Sequence, residues 1–185
     1  IKNNYFFSDS NKENLSFVLA ISKKLKLKKN LLFKTIQKFK GLKYRQQIIF
    51  KKKNLIIIND SKSTSFSSSI SILKTNRNIF WLIGGIFKKG DKFKLGKKNL
   101  KNVRAFIYGK NKKFFNKELK KKVKTKNFRN LNNAVKNIFS LIKNENLDTN
   151  TILFSPCAAS FDSFKNFEDR GLYFNRLIKN FLNEI

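Results

Sequence analysis

Histidine and methionine are absent from this 185-residue chain, cysteine and proline each occur once, and only 11 carboxylates face 42 lysines and arginines. Each shortage removes a class of chemistry. Without histidine there is no Ser-His-Asp triad and no His-based zinc site. The lone Cys157 cannot close an internal disulfide, which suits a reducing cytoplasm. With no imidazole to activate it, packing is expected of that thiol rather than nucleophilic duty. No apolar run approaches the ~20 residues needed to cross a bilayer, and the start does not read as a secretion signal. Seven glycines, none in a G-x-x-x-x-G-K-[ST] string, leave no phosphate loop, and no magnesium-type acidic site is identifiable. Because the chain opens on Ile1 in mid-pattern, the expectation is a C-terminal fragment of a longer protein.

What is abundant is lysine. A formal net charge of +31 ordinarily raises nucleic-acid or anionic-membrane binding first. Only six of the 42 cations are arginine, at positions 45, 77, 104, 129, 170 and 176, and the lysines spread from Lys2 to Lys179. Lysine serves forked phosphate and base contacts less well than arginine. The chain is also heavy in Asn, Ile and Phe, with 21 Phe, the pattern of A+T-rich coding drift. Most lysines are therefore read as solvated surface whose mutual repulsion lowers stability at low salt. The rival is a basic, non-enzymatic nucleic-acid-binding domain, which requires a one-sided lysine face with exposed aromatics.

Hydrophobic spacing predicts helices over residues 13–25, where Asn11 can cap the start, and 31–39, which stops before Gly41. Beyond Gly41 the pattern changes to short apolar runs at 47–50, 55–58, 79–83, 103–108 and 151–154. Helix-compatible stretches at 66–73, 111–121, 131–142 and 166–182 lie among and after them. Strands alternating with helices imply an α/β fold with a mostly parallel sheet covered on both faces. The domain joint is placed near 41–45, dividing the chain into residues 1–41 and 42–185.

Three strings carry chemistry. The longest, LFSPCAASFDSFKNFEDRGL over 153–172, reads as a strand ending in small residues that open into a helix. Small side chains let backbone N–H groups approach an anion, and the helix start adds its positive end. In the second, IIINDSKSTS over 56–65, a strand runs out into Asp60, Lys62 and hydroxyls, at the sheet edge where open α/β folds bind ligands. A helix cap through Asp60 or Ser61 is the plain alternative. The third, FWLIGGIFKKGD over 80–91, ends a buried strand in Gly84-Gly85, which permits a tight turn and close approach to a ligand.

Together these strings resemble the Mur ligases, the ATP-dependent family that builds the peptidoglycan stem peptide, and among them the D-glutamate-adding members. The resemblance runs from about Asn11 to Leu182. It implies a Rossmann-like C-terminal domain at 42–185, preceded by the end of the central ATP-binding domain at 1–41. It also implies that an acyl phosphate of UDP-N-acetylmuramoyl-L-alanine is attacked by the amine of D-glutamate. By the resemblance, Lys62 and Thr64 face the amino acid and the reacting centre. Lys88, with Lys89 as an adjacent competitor, grips a carboxylate. Ser160 donates its hydroxyl and Phe167 its backbone N–H to the substrate. Asp60 contacts the ribose, Arg45 reaches the phosphates, and Asn11 and Asn14 recognise adenine. Departures occur at Ser10, Lys43, Tyr44, Ser63 and Ser65, where His, Pro, His, Ala and Asn are usual. ATP and magnesium would be held largely by the missing part, and the fragment alone would not turn over. A cytoplasmic monomer without a membrane or specific nucleic-acid partner is the implied setting. A sister ligase adding another amino acid is the near alternative. The spatial expectation is that Lys62, Thr64, Lys88 and Ser160 surround one hollow sized for a small diacid.

Overall fold

The computed structural model describes residues 3–7, 9–52, 54–75, 78–145 and 149–183. The chain divides into two compact units, Ile1–Leu42 and Lys43–Ile185.

The first unit holds two helices, α1 (Asp9–Lys24) and α2 (Lys29–Lys38). Helix α1 starts earlier than its apolar spacing predicts, so Asn11 lies in its first turn and is not its cap. The Asn11 amide instead donates to the Tyr5 carbonyl at 2.6 Å. The helix ends where Lys26 adopts a left-handed φ of 52°, with Leu27 N–H donating to Ser22 O at 3.0 Å. That six-residue closure usually takes glycine; a lysine there costs about 1 kcal/mol. The last carbonyls of α2 are satisfied by Asn3, whose amide donates to Ile36 O at 2.7 Å and Phe39 O at 2.8 Å.

The second unit is a six-stranded sheet in the order β1-β2-β6-β3-β4-β5. Its strands are β1 (Gln47–Lys52), β2 (Leu55–Asn59), β3 (Asn78–Gly84), β4 (Val103–Tyr108), β5 (Lys124–Asn127) and β6 (Asn150–Phe154). Among these six strands only β1 pairs antiparallel, with β2, and the other strand pairs are parallel. The expected α/β architecture is therefore observed, with one strand beyond the expectation. Segment β5, Lys-Thr-Lys-Asn, has no apolar residue and sits at the sheet edge, where a strand needs no buried face.

Alternation along the strands builds two cores. Ile79, Trp81 and Ile83 of β3 pack with Phe66, Phe93 and Phe115 on one face. Phe80 and Leu82 of the same strand pack with Phe106, Ile138, Phe154 and Phe174 on the other. The first face is covered by α3 (Ile70–Leu73), which continues a 3-10 turn at Phe66–Ser69, and by α4 (Lys112–Leu119). The second is covered by α5 (Leu131–Asn144) and α6 (Phe167–Asn183). Asn130 caps α5, its side-chain oxygen accepting from Asn133 N–H at 2.9 Å. Among the described residues no helix is long and apolar enough to cross a membrane.

Candidate functional site

Parallel pairing sets where the strands run out. Asn59 of β2 and Leu82 of β3 both stand opposite Phe154 of β6, so three adjacent strands end side by side. The turns that follow them, 60–64, 85–91 and 155–160, are the three strings singled out from sequence. In a parallel sheet this carboxyl-terminal edge is the place for a ligand.

Backbone bonds stitch the turns together. Ala158 N–H donates to Ser63 O at 3.3 Å, and Gly84 N–H to Pro156 O at 3.2 Å. Ile86 and Ala159 exchange a pair of bonds at 3.0 and 2.9 Å. Gly85 has a φ of 125°, and a Cβ there would lie 2.5 Å from the Ala159 carbonyl oxygen, so this crossing requires glycine. The basic loop is held from its far end by Asp91, which accepts from Phe66 N–H at 2.8 Å and donates its own N–H to Lys88 O at 3.0 Å.

On this frame Lys62 is half-buried, its ammonium 4.2 Å from the centre of the Phe167 ring. Thr64, Lys88 and Lys89 are exposed, whereas Ser160 is buried and its carbonyl receives Phe164 N–H at 3.0 Å. Phe167 opens α6, so its N–H has no acceptor within the helix. Asn166 caps that helix by accepting from Asp169 N–H at 2.7 Å. Arg45 and Asp60 belong to the same edge of the second unit. Asn11 and Asn14 lie three apart on α1 in the first unit, Asn14 being exposed.

Asp60 is 5% exposed. Its carboxylate accepts from Ser155 Oγ at 2.8 Å and Gln46 N–H at 3.1 Å. Burial pushes this acid up to about 7, against the pull of those two bonds and of the Arg45 and Arg170 charges. Behind it Ser155 Oγ meets Ser69 Oγ at 2.6 Å, and Ser69 Oγ meets Cys157 Sγ at 2.9 Å. Burial pushes the Cys157 thiol up to about 12, so it stays protonated at neutral pH, as suits a packed residue.

Sequence reasoning left one residue of this edge without a role. Arg170 of α6 is 1% exposed. It donates from Nε to Ser61 Oγ at 3.1 Å, and from Nη2 to Ser61 O at 2.6 Å and Ala158 O at 2.9 Å. A cation in a lysine-rich chain gives no signal of burial; the available clue was its place two residues after Glu168 in the long string, beside Gly171. There the ring of Tyr44 occupies the space that a Cβ would need.

A concavity of about 490 Å³ lies at the opposite edge of the sheet, where β4 and β5 begin. It is lined by Lys97, Lys101 and Lys120 to Lys122 with Lys124, and by none of the residues singled out from sequence. Among the described residues no group of three or more His, Cys, Asp or Glu side chains could hold a metal ion.

No protein-family model matches the chain. Curated relatives do. It is 34% identical over 171 residues to UDP-N-acetylmuramoylalanine--D-glutamate ligase of Wolbachia sp. subsp. Brugia malayi, covering 92% of this chain and 34% of that protein. It is 36% identical over 177 residues to the ligase of the same name from Francisella tularensis subsp. tularensis, covering 93% and 41%. The chain thus spans about a third to two fifths of the length of these relatives. Among solved structures, MurF ligase from Thermotoga maritima in complex with ADP superposes with a TM-score of 0.67 at 11% identity, over 96% of this chain and 40% of that one. At that identity the likeness speaks for the fold alone.

Proposed function

We propose that this chain, which belongs to the Mur ligase family, is the amino-acid-presenting portion of a D-glutamate-adding, ATP-dependent ligase of peptidoglycan precursor synthesis. The observation that carries the reading is the stitching of three turns at one sheet edge. One bears Lys62 and Thr64, one Lys88, and one Ser160 with Phe167 just beyond. A small diacid needs donors at both ends, and a cation plus hydroxyls and a helix-start N–H supply them.

In this reading Lys88 and Thr64 receive one carboxylate of D-glutamate, while Ser160 Oγ and Phe167 N–H receive the other. Lys62, steadied over the Phe167 ring, offsets the negative charge of the acyl phosphate as the amine attacks. The new bond joins the amine nitrogen to the acyl carbon, phosphate departs, and the amine gives up a proton. Arg45 and Asp60 are assigned to the nucleotide side, and Asn11 and Asn14 to the adenine. ATP supplies the activation of the carboxylate. The chain's own part is to hold the amine and close over the reacting atoms. UDP-N-acetylmuramoyl-L-alanine and the phosphate loop belong to the remaining length found in the relatives. The chain by itself accordingly binds the amino acid without ligating it.

Calorimetric titration of the chain with D-glutamate, L-glutamate, L-alanine and diaminopimelate tests the reading. Binding of D-glutamate ahead of the other three is expected. Equal affinities, preference for another amino acid, or no D-glutamate binding would overturn it.

A further inference from the structure

The geometry points to Arg170 as the positioning residue of this edge: one buried guanidinium that sets the spacing of the three turns carrying Lys62, Lys88 and Ser160. The inference rests on the reading above for what the turns bind, but its own evidence is the packing. Arg170 bonds two of the turns and lies close against the third. Its Nε and Nη2 bond Ser61, next to Lys62, and Nη2 also bonds Ala158, two residues before Ser160. Its Nη1 sits 3.1 Å from where a Cβ on Gly85 would be, beneath the turn that leads to Lys88. The fourth attachment is its own helix. Ser61 Oγ donates to Phe167 O at 2.8 Å, so the start of α6 is tied to the first turn through the same serine that receives Nε.

No carboxylate pairs with this buried cation within salt-bridge distance among the described residues, and Nη1 has no hydrogen-bond partner there. A buried charge held by two carbonyls and a hydroxyl, with Asp162 and Asp60 acting on it only from beyond ion-pair distance, is costly. Packing would be served better by an apolar residue of similar size. What an apolar residue cannot do is fix two carbonyl oxygens and a hydroxyl in one plane at set distances. A lysine cannot either, since its three donors radiate from one atom at the end of a flexible stem, whereas the guanidinium fork is planar and rigid. Arg170 does not touch the substrate in this arrangement; it acts through the turns.

The test is amide hydrogen exchange on the 185-residue chain, residue by residue, in wild type, Arg170→Lys and the milder Ser61→Ala. Exchange at Ile86, Ala158 and Ala159, whose N–H groups bridge the turns, should quicken at least tenfold in Arg170→Lys and less in Ser61→Ala. Exchange at Trp81 and Phe106 in the central strands should stay within twofold. Millimolar guanidinium added to Arg170→Ala should slow the bridging amides again, and equal sodium chloride should not. Unchanged bridging amides, or equal acceleration in turns and strands, would overturn the proposal, the second because it marks a residue serving overall stability only. Should Arg170→Lys fail to fold, Ser61→Ala decides by the same criterion. D-glutamate titration of the same samples separates the two inferences. Loss of affinity in Arg170→Lys, recovered with guanidinium in Arg170→Ala, supports both. Absent binding in wild type sinks the proposed function and leaves the exchange result to judge Arg170.

Discussion

Replacing Asp60 by Asn should remove a pH dependence that the buried carboxyl imposes on folding. In the folded chain burial holds this acid at about 7, against 3.8 for the ordinary group. The groups acting on it come from several elements: Gln46 N–H and the Arg45 charge before β1, Ser155 after β6, and Arg170 from α6. Between those two pKa values the folded protein keeps a proton that the unfolded chain has released. The contribution of this group to stability is therefore greatest below about pH 4, declines as pH rises, and levels off above about 7, the reverse of a salt-bridged carboxylate. Across the part of that window from pH 5 to 7, two pK units at 1.36 kcal/mol each amount to about 3 kcal/mol. That is a large share of a typical domain stability of about 5–15 kcal/mol. In the Asp60→Asn variant the amide oxygen can accept from Gln46 N–H as before, while Ser155 Oγ turns to accept from the amide nitrogen. Urea unfolding at pH 5 and pH 8, followed by fluorescence of Trp81, the sole tryptophan, reads the difference. The advantage of Asp60→Asn over wild type should grow by about 3 kcal/mol between the two pH values. An advantage that is constant, or that shrinks with pH, would refute the assignment of a protonated, desolvated acid.

Two further outcomes follow from the packing. Trp81→Phe should cost about 2 kcal/mol in the same urea experiment monitored by circular dichroism, because the Ser155 carbonyl loses its 2.8 Å indole donor in the core; a cost under about 0.5 kcal/mol would contradict that bond. Raising salt from about 0.01 M to about 1 M, which shortens the screening length from about 30 to about 3 Å, should raise the melting temperature by several degrees, given a net charge of +31. A flat or falling trend would mean that lysine repulsion does not burden the fold.

The strands with apolar faces were legible from sequence, as were the edge at which they end and the three turns beyond them. Burial writes itself into runs such as Phe80 to Ile83 and Ile152 to Phe154, and a mostly parallel topology follows from the helices between several of the strands. The strand β5 was not legible, since an edge strand of lysine, threonine and asparagine has neither alternation nor an apolar run. The start of α1 was missed because its first turn carries no apolar residue to set the period. The role of Arg170 was hidden for a different reason. Burial of a charged side chain depends on partners far off in sequence, here Ser61, 109 positions away, and no local pattern encodes them. The same holds for Asp60, legible as a polar residue at a strand end but not as an acid driven toward neutrality by its surroundings.

The claim on which the whole account turns is that the turns after β2, β3 and β6 form one binding edge for a small diacid. Two-dimensional NMR of the labelled chain during addition of D-glutamate tests it directly. Amides of residues 62–64, 86–89, 160 and 167 should shift together along a single saturation curve, with residues 97–101 and 120–124 around the lysine-lined concavity unmoved. Shifts confined to one turn, or strongest around that concavity, would contradict the account.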